Sequence, residues 1–192
     1  MAKTIDPGKL ISKPLTPATW PDFERLFGEN GACAGCWCTW WRLTSAEFTK
    51  FSKDEKKNFI RTLVQGGTIP GLIAYVDDFP AGWVSVGPRE SFAHLERSKV
   101  LARVDDKPVW CINCFFIERK HRRMGLTSFL IEEAVKFAKA NGAKLIEAYP
   151  IDAQEKMRSP NLYYGVADTF RKLGFHEVDR REKGHVIMRL EI

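Results

Sequence analysis

No apolar run in these 192 residues approaches the roughly 18 residues that a membrane span requires. Met1 to Pro7 carries no apolar signal core, so a cytoplasmic location is expected and a membrane partner is not. There is no internal repeat, no low-complexity tract and no evident linker at which to divide the chain. With 44% apolar residues it can build one sizeable core but hardly two, so residues 1–192 are expected to form one domain. The five cysteines are an odd number without a secretory signal, which argues against a disulfide framework.

Charge is present but unevenly placed. The net charge is +6 and the pI about 9.1. Arg119, Lys120, His121, Arg122 and Arg123 are consecutive, and no other stretch is as densely basic. One compact basic spot suits a small phosphorylated ligand better than a nucleic-acid track, so nucleic acid is not an expected partner.

Hydrophobic spacing predicts a strand at Leu10–Pro14 and a helix at Thr16–Gly28, with Trp20, Phe23 and Phe27 inward. Gly31–Leu43 is a connection rich in Cys and Trp. Ser45–Gln65 is predicted helical with a break near Ser52, and Gly66-Gly67 stops it. Strands are predicted at Leu72–Val76 and Gly82–Val86 around a turn at Asp77–Pro80, then a short helix at Arg89–Ser98. Val109–Ile117 reads as a strand buried on both faces. Next come a helix at Met124–Ala140, a strand at Lys144–Tyr149, a helix at Leu162–Leu173, and strands at Phe175–Val178 and His185–Leu190. The order predicts an α/β (α+β) sandwich around one mixed, mostly antiparallel sheet flanked by helices.

The sharpest local feature is the passage from the apolar strand through the basic turn to Gly125-Leu126-Thr127-Ser128, where a long helix begins. The first amides of a helix have no intrahelical partner, and the helix dipole makes that end partly positive, so such an end binds phosphate. The bland alternative is a buried strand, a basic surface turn and an ordinary helix.

The segment Arg122-Arg-Met-Gly125-Leu-Thr127 resembles the Arg/Gln-x-x-Gly-x-Gly/Ala signature of GNAT acyltransferases, between the same strand and helix. Ala167 to Phe175 is similar to the family's C-terminal helix ending in Gly-Phe. Thr127 departs from the preferred Gly or Ala. The resemblance implies a GNAT-like domain that transfers an acetyl group from acetyl-CoA to the amine of a small acceptor, by direct attack in a ternary complex. An alternative is a degenerate member that binds acyl-CoA without turnover.

The resemblance also implies site residues. Main-chain groups of Phe115, Phe116 and Ile117 would meet the pantetheine arm, with the amide near Phe116 as oxyanion donor. Amides of Arg122, Arg123, Met124, Gly125, Leu126 and Thr127 would hold the pyrophosphate. The Thr127 and Ser128 hydroxyls could add donors, and Arg119, Lys120 and Arg123 could meet an outlying phosphate. Glu118 is the first candidate base, against a plain reading as a surface carboxylate offsetting its basic neighbours. Glu147 and Asp152 are weaker candidates. Many members carry a tyrosine where this chain has Phe170, which cannot protonate a thiolate. Tyr163 and Tyr164 are the candidate replacements, against aromatic packing.

The segment after the first helix lines the acceptor side in the family. Trp37, Trp40 and Trp41 would therefore form an aromatic wall, and Arg42 would pair with an acceptor carboxylate. Cys33, Cys36 and Cys38, with Cys111 and Cys114, raise the question of zinc. Residues three apart on a regular strand face opposite ways, so Cys111 and Cys114 should not share an ion, and no metal is expected. The expected partners are acetyl-CoA and an amine, with self-association into a homodimer left open.

Overall fold

The computed structural model describes residues 10–152, 163–182 and 184–192. Seven strands form one sheet in the order β1-β2-β3-β4-β5-β7-β6. They are β1 (Leu10–Pro14), β2 (Gly71–Val76), β3 (Phe79–Pro88), β4 (Trp110–Ile117), β5 (Leu145–Ala148), β6 (His176–Glu182) and β7 (His185–Glu191). Only β4 and β5 pair in parallel; every other neighbour is antiparallel. This is the mixed, mostly antiparallel α/β sheet that the element order predicts.

The described residues also form six α-helices: α1 (Trp20–Phe27), α2 (Ser45–Lys50), α3 (Lys53–Gln65), α4 (Ala93–Glu96), α5 (Leu126–Ala140) and α6 (Ala167–Lys172). One face packs against α5 and α6, where Leu130, Ile131, Ala134 and Phe170 bury against Ile112 and Phe115 of β4. Fully burying a Leu or Ile side chain contributes roughly 1.5–3 kcal/mol, so this apolar stripe fixes α5 across the sheet. The opposite face packs Phe23, Phe27, Trp37 and Ile60 onto Ile73, Tyr75 and Trp83. A third cluster joins Trp41, Phe92 and Leu95 to Cys111 and Tyr149.

The boundaries differ from expectation for local reasons. The first helix starts at Trp20 rather than Thr16, because Pro21 sits in its first turn and the Thr19 hydroxyl donates back to the Pro14 carbonyl at 2.8 Å. The expected break near Ser52 is a helix start: Ser52 and Glu55 form a reciprocal capping box. The Arg89–Ser98 segment divides into a 3₁₀ turn at Arg89–Ser91 and the short α4.

The helix expected from Leu162 is α6, which begins at Ala167. The preceding backbone is committed to Ile151 through Ile151 N–H to Gly165 O and Ala167 N–H to Ile151 O. Leu162 itself lies outside the described residues. β4 is buried at Cys111, Ile112, Asn113 and Phe115 but only half-buried at Cys114, Phe116 and Ile117, since β5 leaves it after three paired residues.

Candidate functional site

The parting of β4 and β5 creates the site. Trp110, Cys111 and Ile112 pair with Ile146, Glu147 and Ala148, and the strands then diverge. Beyond that fork, among the described residues, β4 keeps only its β3 partner. The Glu118 N–H donates to the Ala81 carbonyl at 3.0 Å, continuing the β3–β4 register. Because amide direction alternates along a strand, the N–H groups of Phe116 and Cys114 face β3, while those of Phe115 and Ile117 face the gap. The expected role of the Phe116 amide is thereby corrected: the ladder uses it, and the gap is served by Phe115 and Ile117.

A cavity of about 490 Å³ opens along this gap. Phe115 and Ile117 form its strand wall, and Arg122, Arg123, Gly125, Leu126, Thr127 and Ser128 form its turn and helix wall. Gly125 caps α5 with φ 87° and no side-chain capping bond, which leaves the first-turn amides of α5 facing the cavity mouth. A β-carbon at Gly125 would meet nothing within 4 Å, so the approach to this backbone is open. Arg123 also has positive φ, 63°. Arg122 bends back, its Nε donating to the Ile117 carbonyl at 3.1 Å. Met124 does not line the cavity; its side chain packs on the core. His121, Tyr163, Gly165, Val166 and Thr169 complete the wall. Of these, His121 was legible in the basic run; Gly165, Val166 and Thr169 arrive only through the fold.

A second cavity, about 220 Å³, lies on the other side of the β4 edge. Its rings are Phe27, Trp40, Trp41, Phe48, Phe116 and Tyr164, and its thiols are Cys33, Cys36, Cys38 and Cys114. Tyr163 lines both cavities. Burial, with a hydrogen bond to Cys33, pushes the Tyr163 phenol up to about 12. Burial also raises that of Tyr164, which packs edge-on against Trp41 at 5.6 Å between centroids.

Two expected acceptor residues lie elsewhere. Trp37 is core, stacked on Phe27 at 5.6 Å. Gly31 makes room for it, since a β-carbon there would come within 2.4 Å of its indole nitrogen. Arg42 is buried over the Phe92 ring, its Nη2 donating to the Pro70 carbonyl at 2.9 Å. It does not face the cavity.

The candidate bases are all engaged. Glu118 accepts from His121 Nδ1 at 2.8 Å and lies 3.4 Å from Lys120 Nζ, lining neither cavity. Its plain reading as a partner for basic neighbours is the one the geometry favours. Glu147 is 1% exposed and held by Arg89 Nη1 at 3.0 Å and Arg189 Nε at 2.7 Å. Asp152 pairs with Arg180 Nη2 at 2.8 Å. Phe170 is fully buried against Phe115 and Phe175.

The thiols are arranged differently from expectation. The β3–β4 register passes from Val86↔Ile112 to Ser85↔Cys114, leaving Asn113 as a bulge. That extra residue turns Cys114 to the same face as Cys111, the face away from α5. The opposite-face argument against a shared site therefore fails. Trp83 Nε1 donates to Cys38 Sγ at 3.0 Å. Burial works against a Cys38 thiolate, but the Cys114 S–H, the Trp83 N–H and the Arg42 charge outweigh it and hold this thiol below the usual range. Cys114 moves up in turn, chiefly because it donates to Cys38. Cys111 touches the Tyr149 hydroxyl at 3.1 Å, and burial drives its thiol far up. Among the described residues, no group of three or more His, Cys, Asp or Glu side chains is arranged to hold a metal ion.

The model of the acetyltransferase (GNAT) family matches residues 30–165. The GNAT-family acetyltransferase of Streptococcus pneumoniae superposes with a TM-score of 0.52 at 16% identity, covering 95% of this chain and 99% of that one. The ribosomal-protein-alanine N-acetyltransferase of Brucella melitensis gives 0.54 at 13%, with coverage of 95% and 99%. Arabidopsis thaliana NAA60, solved with acetyl-CoA, gives 0.51 at 16%, again over 95% and 99%. At these identities the likeness is one of fold. Comparison with curated protein sequences gives no match.

Proposed function

The chain belongs to the GNAT acetyltransferase family, and from that premise we propose that it is an N-acetyltransferase carrying an acetyl group from acetyl-CoA to the amine of a small acceptor. The observation that carries this is the pair of cavities on either side of the β4 edge, sharing Tyr163. One has an open helix N-terminus and arginines for phosphate; the other is small and apolar.

In this reading the open amides from Arg123 to Ser128 take the pyrophosphate, and their dipole and charge favour it; the Arg122 N–H, expected among them, already donates to the Arg119 carbonyl at 3.5 Å. The main chain of Phe115 and Ile117 pairs with the pantetheine arm. The Phe115 N–H, deeper toward the fork than Ile117, faces the thioester oxygen as charge develops there. The amine nitrogen attacks the carbonyl carbon, the C–N bond forms and the C–S bond breaks. Tyr163, its phenol pushed up to about 12 by burial and so protonated at neutral pH, donates a proton to the leaving sulfur and regains the proton that the attacking nitrogen sheds. Transfer is direct, in a ternary complex. One domain acting in the cytoplasm, without nucleic acid or metal, completes the proposal.

A second reading, acyl-CoA binding without turnover, draws on Phe170 being locked in the core and on the engaged carboxylates. Two measurements separate them: calorimetry with CoA, and release of free CoA thiol from acetyl-CoA across a broad amine panel. Binding with amine-dependent release supports transfer. Binding with no release from any amine supports the second reading, and absence of binding removes both.

A further inference from the structure

Resting on that reading, we propose that the acceptor is an aromatic amine, its amino group bonded directly to a planar ring and neutral at physiological pH. The ring would lie in the smaller cavity, between Trp40 and Trp41 on one side and Phe116 on the other, with the amino group toward Tyr163.

Three observations converge. The first is the wall. Trp40 meets Phe48 edge-on at 4.9 Å and Trp41 meets Tyr164 edge-on at 5.6 Å, so rings already pack on rings, and offset or edge-on aromatic contacts add to area burial. The second is size. A volume of 220 Å³ lies below the roughly 300–1,000 Å³ that holds drug-sized ligands, so the acceptor is small. The third is charge. None of the described residues lining this cavity is Asp, Glu, Lys, Arg or His; the side-chain heteroatoms these residues carry are thiols, phenols and indole nitrogens. A charged acceptor would lose hydration there without a counter-charge.

The same lining bears on the chemistry. Only the neutral amine has a lone pair to attack with. An alkylamine with a pKa of about 10.4 is neutral at pH 7 in only about one molecule in 2,500, and needs a base. Glu118 is bonded to His121 and lies beside Lys120, Glu147 and Asp152 are held by arginines, and none of the three lines this cavity. An aromatic amine has its lone pair delocalised into the ring and arrives neutral. Its proton is released after attack, to water or to the Tyr163 oxygen that has just protonated the sulfur, so the cavity need not supply a separate base.

The test is steady-state kcat/KM with acetyl-CoA against aniline and 2-naphthylamine, benzylamine and tryptamine, spermidine, and a tetrapeptide with a free N-terminus. Product masses are recorded alongside. The ring-bonded amines are expected to lead by at least tenfold at pH 7. Trp40→Ala and Phe48→Ala should each raise KM for aniline about tenfold while leaving CoA affinity by calorimetry unchanged. A lead for benzylamine, tryptamine, spermidine or the peptide overturns the aromatic-amine assignment but leaves N-acetyl transfer standing. CoA binding with no amine acetylated overturns both. If the alanine variants fail to fold, Trp40→Phe and competition by non-reactive naphthalene against aniline serve instead; no competition overturns the assignment.

Discussion

At the scale of single residues, Tyr163 and the cysteines carry the chemical questions. Tyr163 is the one described residue shared by both cavities. Tyr163→Phe keeps the ring and removes the proton. It is expected to lower kcat by about 10²–10⁴-fold, the usual contribution of a general acid, with CoA affinity by calorimetry unchanged. Because burial keeps the phenol protonated up to about pH 12, the wild-type rate should show no fall from this group between pH 6 and 9. The cysteines test the direct route. Burial makes Cys111 a poor nucleophile, and Cys114, whose S–H donates a hydrogen bond to Cys38, is held in its protonated form. Mixing the protein with acetyl-CoA and no acceptor should leave its intact mass unchanged. A stable gain of one acetyl group, lost in Cys38→Ala or Cys114→Ala together with turnover, would show a ping-pong route instead.

At the scale of elements, the start of α5 is decisive. Gly125 combines φ 87° with open space around the missing side chain. Left-handed backbone costs an L-residue about 1–2 kcal/mol. Gly125→Ala should therefore lower stability by that amount in urea titration, with no added steric cost, because its methyl meets no atom of the protein. Gly125→Glu adds bulk and a negative charge where phosphate is expected, and calorimetry should show binding lost. Unchanged affinity in the glutamate variant would remove the phosphate seat from this turn. The bulge at Asn113 acts at the same scale: one extra residue in β4 re-aims Cys114 toward the aromatic cavity.

At the scale of the whole molecule, a buried ionic network ties the fork together. Glu147 on β5 is held by Arg89, which follows β3, and by Arg189 on β7, and Arg189 also grips Asp105 at 2.7 and 3.0 Å. Glu147→Gln leaves two buried guanidiniums short of a counter-charge and is expected to cost about 3–5 kcal/mol, read as a lower denaturation midpoint. Acid should weaken the same network. The hydrogen bonds from Arg189 hold Asp105 at about 2, below the roughly 3.9 of an unfolded Asp. Its contribution is thus present above pH 4 and lost as the pH falls through 2, which acid titration of the unfolding midpoint would detect.

What the sequence determined by itself is local in origin. The apolar run Trp110–Ile117, the basic turn and Gly125 are contiguous, so strand, phosphate turn and helix can be read in order. The sheet's mixed character followed from element order, and Phe170 declared the missing tyrosine at its own position. The tertiary structure decided everything that depends on distant segments meeting. Glu147 looks like a free carboxylate until Arg89 and Arg189 close on it from other strands. Trp37 and Arg42 look like acceptor residues beside Trp40 and Trp41, but the folded loop turns them into the core. The facing direction of the Phe116 amide and of Cys114 depends on pairing with β3, since a ladder alternates by residue and one bulge shifts the side-chain pattern. The smaller cavity is assembled from α1, the cysteine loop, α2, β4 and Tyr163–Tyr164, and its shape exists only once those elements pack.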